Sequence, residues 1–341
     1  MAVLCGCTAY NFAIIKGDLD SNKDEGHYID GLLFFEQKKN WCGPAALAGV
    51  LRFWEDEVSQ DEIARSIYLG GIKGTLTFDL ENFAFERGHF AQSRKADLYE
   101  LGDRIREGIP VIVMQKVLPL IRKYHYLVVF GYDDSREVVL VYSGKDEPEL
   151  ISYSAFSRKW RDAGNWMLVV CPPEKVGWEV DAYHLNRLGL LYEKSGELDK
   201  ARVYYRKAGD EEKDNPAYPF NLANTYLLEN NYQRAISFYE TALVRDDKYA
   251  DAYNNLAYCL SESGGDLDKA EEYALCALEF NSKNRPYYLD TLGSIYLKKG
   301  KAEEAASCFK EALSFKEVLK PKAFGQIEEH LDAAEALIRV R

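Results

Sequence analysis

The sequence predicts two domains, an α+β domain followed by an all-α domain of repeated helix pairs. The first prediction rests on short runs rich in Val, Ile, Leu and Tyr that alternate with helical patterns up to residue 171. The second rests on a pattern of small residues that recurs four times between residues 188 and 312. Pro172 and Pro173 separate the two patterns, because neither a helix nor a strand continues through consecutive prolines.

The composition describes a folded protein whose charge does not suit nucleic acid. Of the 341 residues, 47% are hydrophobic and 29% charged, as in folded domains and not in disordered chains. The net charge is −12, and no run of lysine and arginine provides the basic surface that phosphate backbones need. No stretch reaches the roughly 20 apolar residues of a membrane-spanning helix. We therefore expect neither a nucleic acid partner nor a transmembrane anchor.

The cysteines and glycines do not form a recognisable metal or cofactor motif. The seven cysteines lack the paired spacing of a zinc site; they are Cys5, Cys7, Cys42, Cys171, Cys259, Cys276 and Cys308. The glycine-rich stretch 68–80 lacks the Gly-Lys-Ser/Thr of a nucleotide-binding loop. We expect this stretch to be a loop between helices at the border of a cleft, and we expect no metal and no cofactor.

The N-terminal segment, residues 1–27, contains a possible lipidation site. Leu4-Cys5-Gly6-Cys7 resembles a bacterial lipobox, in which a small residue precedes the lipidated cysteine. A complete signal would place a charged start and about 7–15 apolar residues before it, whereas three residues precede it here. Two interpretations follow. Either the true start lies upstream and Cys7 anchors a bacterial, extracytoplasmic lipoprotein, or the likeness is accidental and the protein is cytoplasmic.

Four runs in the first domain are typical of strands, because they are dense in β-branched, aromatic and leucine residues and are bounded by Gly, Asp or Pro. They are residues 110–117, 125–133, 137–143 and 166–171. The short connection between the second and the third predicts an antiparallel hairpin. One or two amphipathic helices are expected among these strands.

Cys42 is predicted to lie at the N-terminus of a helix. Pro44 suits the first helical turn, and apolar residues recur at helical spacing up to Trp54. The free N–H groups and the positive end of the helix dipole stabilise a thiolate there, which lowers the thiol pKa below its usual value of about 8.5. The base that such a thiol requires is best supplied by His125, which opens a predicted strand. The alternative is that Cys42 is a small buried hydrophobe and His125 a surface residue.

Taken together, Gln37, Cys42-Gly43-Pro44-Ala45 and the run HYLVVFGYDD from His125 resemble the bacterial papain-like cysteine peptidases related to the double-glycine leader peptidases of bacteriocin exporters. The likeness covers residues 28–172, and we take 28–174 as an α+β papain-like domain. It implies that Cys42 is a nucleophile that forms a thioester and that His125 is its general base and acid. Gln37 would stabilise the oxyanion together with the backbone N–H of Cys42.

The sequence departs from this family where an Asp-Pro usually follows the next strand and its carboxylate orients the histidine. Here residues 142–145 read YSGK. Ser143 is expected to accept a hydrogen bond from the ring, but it brings no charge to stabilise an imidazolium. Asp133, Asp134 and Asp146 are close in sequence, and none matches the position. Either Ser143 orients a weakened dyad, or the domain cleaves slowly, or it no longer cleaves.

The second domain repeats a small residue at a fixed interval. The positions are Gly189, Ala223, Ala257 and Gly293, at spacings of 34, 34 and 36 residues. A second small residue follows twelve or thirteen positions later in every unit. The pattern resembles tetratricopeptide repeats, with four units in residues 182–320 and a capping helix in 321–341. Such an array implies an all-α solenoid whose concave face binds peptides or partner proteins.

The function expected from the whole sequence is that of a hydrolase, a thiol-dependent peptidase whose repeats recruit peptide or protein partners. An amide or acyl transferase, acting by transpeptidation or deamidation, would use the same residues. The alternative from another class is an inactive peptidase-like domain that binds peptides as a scaffold.

Overall fold

The computed structural model describes residues 8–21, 25–33, 36–118, 121–145, 147–280 and 283–340. The lipobox around Cys7 and the carboxylate of Asp146 lie outside the described residues, so the lipid anchor stays a prediction. The chain divides into two compact units, Met1–Trp178 and Glu179–Arg341.

The first unit contains an antiparallel seven-stranded sheet. Its strands are β1 (Gly26–Tyr28), β2 (Phe90–Lys95), β3 (Val111–Leu118), β4 (Ile121–Asp133), β5 (Val138–Tyr142), β6 (Glu149–Ser152) and β7 (Trp166–Cys171). The strand order is β2-β7-β3-β4-β5-β6, and β1 pairs with the end of β4. The four strands predicted from the sequence are confirmed as β3, β4, β5 and β7, and the predicted hairpin is the antiparallel pair β4–β5.

The helices of this unit are α1 (Thr8–Ser21), α2 (Cys42–Phe53), α3 (Gln60–Ile67), α4 (Thr77–Glu86), α5 (Leu98–Arg106) and α6 (Tyr153–Arg161). The expectation of one or two helices in this domain was wrong. Helices α3, α5 and α6 have only eight or nine residues, too few for a clear 3.6-residue periodicity. Their starts are set locally, because the side chains of Ser59, Asp97 and Ser152 each accept a hydrogen bond from the first helical turn.

Helix α2 forms the centre of the core and holds its own N-terminus in place. Leu47, Val50 and Leu51 are fully buried in one cluster with residues of the sheet, among them Val128 of β4. At the helix start, a Cβ on Gly43 would lie 3.3 Å from the ring of Tyr126. The first turn of α2 therefore contacts β4 directly, with its geometry fixed by a packed core.

The second unit consists of helices. They are α7 (Ala182–Lys194), α8 (Leu198–Glu211), α9 (Ala217–Leu228), α10 (Tyr232–Arg245), α11 (Ala250–Glu262), α12 (Leu267–Glu279), α13 (Arg285–Lys298), α14 (Ala302–Leu313) and α15 (Pro321–Val340). The first eight pack as consecutive pairs, and α15 packs on α14. None of the helices in the described part of the chain combines the length and the apolarity that a membrane span requires.

The small residues of the repeat allow the two helices of a pair to approach closely. A Cβ on Gly189 of α7 would lie 2.4 Å from the Tyr205 ring of α8, and a Cβ on Gly293 would lie 2.5 Å from the Phe309 ring. Both rings are fully or almost fully buried. Each glycine is therefore needed for the space that it leaves to an aromatic ring and not for backbone flexibility.

We predict that Gly189→Ala destabilises the second unit, whereas Gly209→Ala in α8 stabilises it. The added methyl at 189 must displace a buried ring, and overpacking of this kind costs about 1–3 kcal/mol. At 209 the nearest heavy atom would be 3.8 Å away, so only the gain in helix propensity of about 1 kcal/mol remains. Far-UV circular dichroism in urea measures the change on the full chain.

Tryptophan fluorescence serves as the internal control, because all five tryptophans lie at or before Trp178. Their transition reports the first unit and should stay in place in both variants. Equal stabilisation by the two substitutions would contradict the packing role of Gly189.

Candidate functional site

A cleft of about 720 Å³ in the first unit brings the predicted site residues together. Gln37, Cys42, His125 and Ser143 all line it. Its walls come from the N-terminus of α2, the loop between α3 and α4, the end of β3 and the start of β4. Residues separated by more than 100 positions in the chain thus face one solvent-accessible space.

Cys42 is the first residue of α2 and is partly buried. Trp41 precedes the helix, and its indole cannot accept hydrogen bonds from the helix start. Pro44 carries no N–H, so the amides of Cys42 and Gly43 are the donors of this first turn. The backbone N–H groups of Gly43 in α2 and of Tyr126 in β4 both lower the pKa of the thiol. One donor from the helix start and one from the sheet therefore favour the anionic form of the sulfur.

His125 lies on β4 between Cys42 and Ser143. One ring nitrogen, Nε2, is 2.8 Å from the main-chain carbonyl oxygen of Ser143, and the ring is close enough to Cys42 to lower the pKa of its thiol. A carbonyl oxygen can only accept, so Nε2 must carry the hydrogen. In the neutral ring this leaves Nδ1 unprotonated, and Nδ1 can take the proton of the thiol.

The pair stabilises its own charged form. Burial would raise the pKa of the Cys42 thiol, but the hydrogen bond with His125 and the backbone donors bring that pKa below its ordinary value. Burial would likewise lower the pKa of His125, and the hydrogen bond to Cys42 with the Ser143 carbonyl raises it instead. Burial and the nearby Glu174 raise the pKa of Cys171 to about 12, although Arg104 and Lys175 act in the opposite direction. Among the described cysteines, Cys42 has the thiol that ionises most readily.

Gln37 is fixed against the loop that follows β5. Its backbone N–H donates to the carbonyl of Gly144 over 2.9 Å. Gly144 has a φ of +95°, and a Cβ there would lie 2.3 Å from the side-chain carbon Cδ of Gln37. Only glycine satisfies both constraints. The Oε1 atom of Gln37 is buried and has no hydrogen-bond partner among the described residues, and the residue lines the cleft.

Ser143 contacts the ring through its main chain. Ser143 was expected to accept a hydrogen bond from His125 without bringing a charge, and the atom that accepts it is the backbone carbonyl oxygen. The Ser143 hydroxyl donates instead to Glu149 over 2.5 Å, and the same carboxylate oxygen pairs with Lys145 at 2.9 Å. The carboxylate of Glu149, on β6, is therefore connected to His125 through one intervening residue, Ser143.

Glu149 was not predicted from the sequence, because it lies neither at the position of the family's Asp-Pro nor among the aspartates close to it. Asp133, one of those aspartates, is buried and bonds Ser135 and Arg136. Glu149 approaches the site because β6 pairs with β5 and places it opposite Val141. A strand predicted at residues 149–152, in addition to the four that were predicted, would have pointed to Glu149. Four partly exposed residues are too few to show the alternating pattern of a strand.

The outer part of the cleft is apolar and basic. Ile72, Leu76, Val117 and Tyr124 are among its lining residues and expose large side chains. Lys73 and Lys123 also line it. Of the stretch predicted as a loop, residues 68–76 do form a loop that borders the cleft, whereas residues 77–80 belong to α4. No cluster of three potential metal ligands occurs in the described ranges.

The sequence of each unit matches a known family. Residues 29–166 match the Peptidase_C39 like family. Tetratricopeptide repeats match at residues 185–210, 217–248, 238–272 and 287–318. The recognition made from the sequence, a peptidase-like domain fused to these repeats, is confirmed. Among curated proteins the chain has no significant match.

Solved structures resemble part of the chain. A crystal structure of MamA is 25% identical, with 40% of this chain and 78% of that chain covered and a TM-score of 0.36. PilF of Pseudomonas aeruginosa is 22% identical, with 46% and 69% covered and a TM-score of 0.42. The first tetratricopeptide domain of Spaghetti (RPAP3), bound to an HSP90 peptide, is 25% identical, with 35% and 94% covered and a TM-score of 0.33.

We predict that iodoacetamide alkylates Cys42 at a lower pH than the other thiols. The rate follows the thiolate fraction, so the midpoint of the Cys42 profile should lie below about 8.5. Burial raises the pKa of Cys276, which is partly exposed and serves as the matched control. In His125→Ala, burial persists while the hydrogen bond is lost, so the Cys42 midpoint should rise. Peptide mass spectrometry between about pH 4 and 9 measures both sites in one sample.

Profiles of Cys42 and Cys276 that coincide would contradict the pairing. A Cys42 profile that is unchanged in His125→Ala would also contradict the pairing, because the ring would then have no part in the ionisation of the thiol.

Proposed function

We propose that this chain, which joins a Peptidase_C39-like domain to tetratricopeptide repeats, is a cysteine peptidase that recruits its peptide or protein partners through the repeats. The observation that carries the proposal is that Cys42, at the N-terminus of α2, and His125, on β4, line the same cleft. There each of them shifts the pKa of the other towards its charged form. A nucleophile at a helix start and a base on an antiparallel sheet form the papain-like arrangement predicted from the sequence. That arrangement is part of the proposal.

In the first half of the reaction, the substrate transfers its acyl group to the sulfur of Cys42. Its proton passes to Nδ1 of His125, and the sulfur attacks the carbonyl carbon of the scissile amide. The carbon–nitrogen bond then breaks, and His125 returns the proton to the leaving amine. A thioester between Cys42 and the acyl half of the substrate remains.

In the second half, water takes the place of the amine. His125 removes a proton from the water, the hydroxide adds to the thioester carbonyl, and the carbon–sulfur bond breaks. The sulfur leaves as a thiolate beside the imidazolium, which restores the starting pair. An amine in place of water would yield transpeptidation through the same steps.

The oxyanion that forms in both halves needs N–H donors. The backbone N–H of Cys42 lies at the uncapped start of α2, and the side-chain amide of Gln37 lines the same cleft. Preorganised donors of this type typically contribute about 10²–10³ in rate. Gly144 holds Gln37 in position, because the amide group packs where a side chain at 144 would be.

The second unit supplies the binding function. Tetratricopeptide arrays form extended surfaces that bind proteins or peptides, and four family matches lie within residues 185–318. In this proposal the repeats select what is brought to the peptidase, and the cleft cuts it.

Cleavage of a defined peptide mixture tests the proposal. The full chain is incubated with a mixture of synthetic peptides that covers all pairs of residues at the scissile bond, and new termini are identified by mass spectrometry. We expect cleavage by the wild type and by Cys276→Ala, and none by Cys42→Ala. Gln37→Ala should reduce the cleavage rate by about 10²–10³ and leave alkylation of Cys42 unchanged, because alkylation forms no oxyanion.

Cleavage that persists in Cys42→Ala would rule out the thiol mechanism. Peptides that bind in the cleft without being cut by any variant would favour the scaffold function instead. New amide bonds between peptides would indicate transfer to an amine in place of hydrolysis.

A further inference from the structure

We infer that Glu149 is a positioning residue of this site and that it supplies, through Ser143 and the adjoining loop, the negative charge that the sequence lacks after β5. The inference rests on the proposed function, because it assigns Glu149 a role in the ionisation of Cys42 and His125. It concerns a residue of β6 that the family motif does not contain.

One oxygen of Glu149 holds both ends of a three-residue loop. Oε1 accepts a hydrogen bond from the Ser143 hydroxyl at 2.5 Å and pairs with the Lys145 ammonium at 2.9 Å. Gly144 lies between these two residues. The carboxylate is itself held in place, because β6 pairs with β5 and places Glu149 opposite Val141.

The loop held in this way orients two parts of the site. The carbonyl of Ser143 accepts from Nε2 of His125 at 2.8 Å, and the carbonyl of Gly144 accepts from the backbone N–H of Gln37 at 2.9 Å. Loss of the Glu149 contacts would therefore free the acceptor that sets the histidine tautomer. The same loss would loosen the backbone contact that places the oxyanion donor.

Glu149 also favours the charged histidine. Burial would raise the pKa of Glu149, but the hydrogen bonds from Lys145 and Ser143 and the nearby His125 hold that pKa below its ordinary value. The carboxylate is therefore ionised. Its charge acts on the imidazolium that forms when Cys42 gives up its proton. Charged and titratable groups come from several elements at the cleft. They include Cys42 of α2, Glu149 of β6, Lys145 of the loop, Lys73 of the α3–α4 loop, Lys123, Tyr124 and Tyr126 of β4, and Asp79 of α4, which acts on Tyr126.

A structural role alone would make a different prediction. If Glu149 only fastened β6 to the loop, its neutral isostere would keep the hydrogen bond from Ser143 and leave the titration of the site unchanged. The pH profile of Cys42 alkylation therefore separates the two roles, and it needs neither a substrate nor peptidase activity.

The experiment compares iodoacetamide alkylation of Cys42 in the wild type, Glu149→Gln and Glu149→Asp across about pH 4.5 to 9. In Glu149→Gln we expect the pKa of the Cys42 thiol to rise by about half to one unit. Near pH 5.5 this corresponds to a three- to tenfold slower alkylation of Cys42. Glu149→Asp keeps the charge and should recover part of the rate. Ser93→Ala, which removes a similar Ser–Glu hydrogen bond to Glu81 away from the cleft, should match the wild type.

A second measurement avoids the risk that Glu149→Gln folds poorly. In the wild-type chain, the ¹³C-NMR titration of the Glu149 carboxyl should show an inflection at the pKa of His125, and this inflection should vanish in His125→Ala. Superposed alkylation profiles of wild type and Glu149→Gln, or a carboxyl titration without that inflection, would overturn the inference. Failure of the proposed function looks different, because Cys42 of the wild type would then react like Cys276.

Discussion

The site depends on one hydrogen bond, from Nε2 of His125 to the main-chain carbonyl of Ser143. This bond decides which ring nitrogen carries the hydrogen in the neutral state, and thereby leaves the other free to receive a proton from Cys42. A side-chain acceptor could rotate away, whereas this carbonyl belongs to the backbone directly after β5. The orientation of the base is thus set by the sheet and by the loop at residues 143–145.

Two opposing effects decide the ionisation of the pair. Burial is the largest single influence on both groups, and it favours the neutral thiol and the neutral ring. The dipole of α2 favours a nearby anion by up to about 2 kcal/mol in a partly buried site. The mutual contact reverses the balance, since a proton transfer within the pair creates two opposite charges that stabilise each other in a partly desolvated space. Each residue therefore shifts the pKa of the other towards its charged form.

The candidate site residues could be predicted from the sequence because their proposed roles depend on residue type. A cysteine before Gly-Pro, a histidine at a strand start and a nearby glutamine each bring their own chemistry. The repeats were equally accessible, since small residues recur at a fixed interval. Glu149 and the carbonyl of Ser143 were not, for two different reasons. The first reaches the site through the pairing of β5 with a strand of four residues, and the second is a backbone atom that every residue carries.

The central claim is that Cys42 and His125 ionise as a pair, and the pKa of His125 measured by NMR tests it most directly. Nitrogen-15 labelling of the histidines follows the ring through its titration in the wild type and in Cys42→Ala. We expect a pKa above the ordinary value of about 6.5 in the wild type and a clear fall in Cys42→Ala, because burial persists while the thiolate is gone. A His125 pKa that is the same in both proteins would show that the two residues do not ionise as a pair.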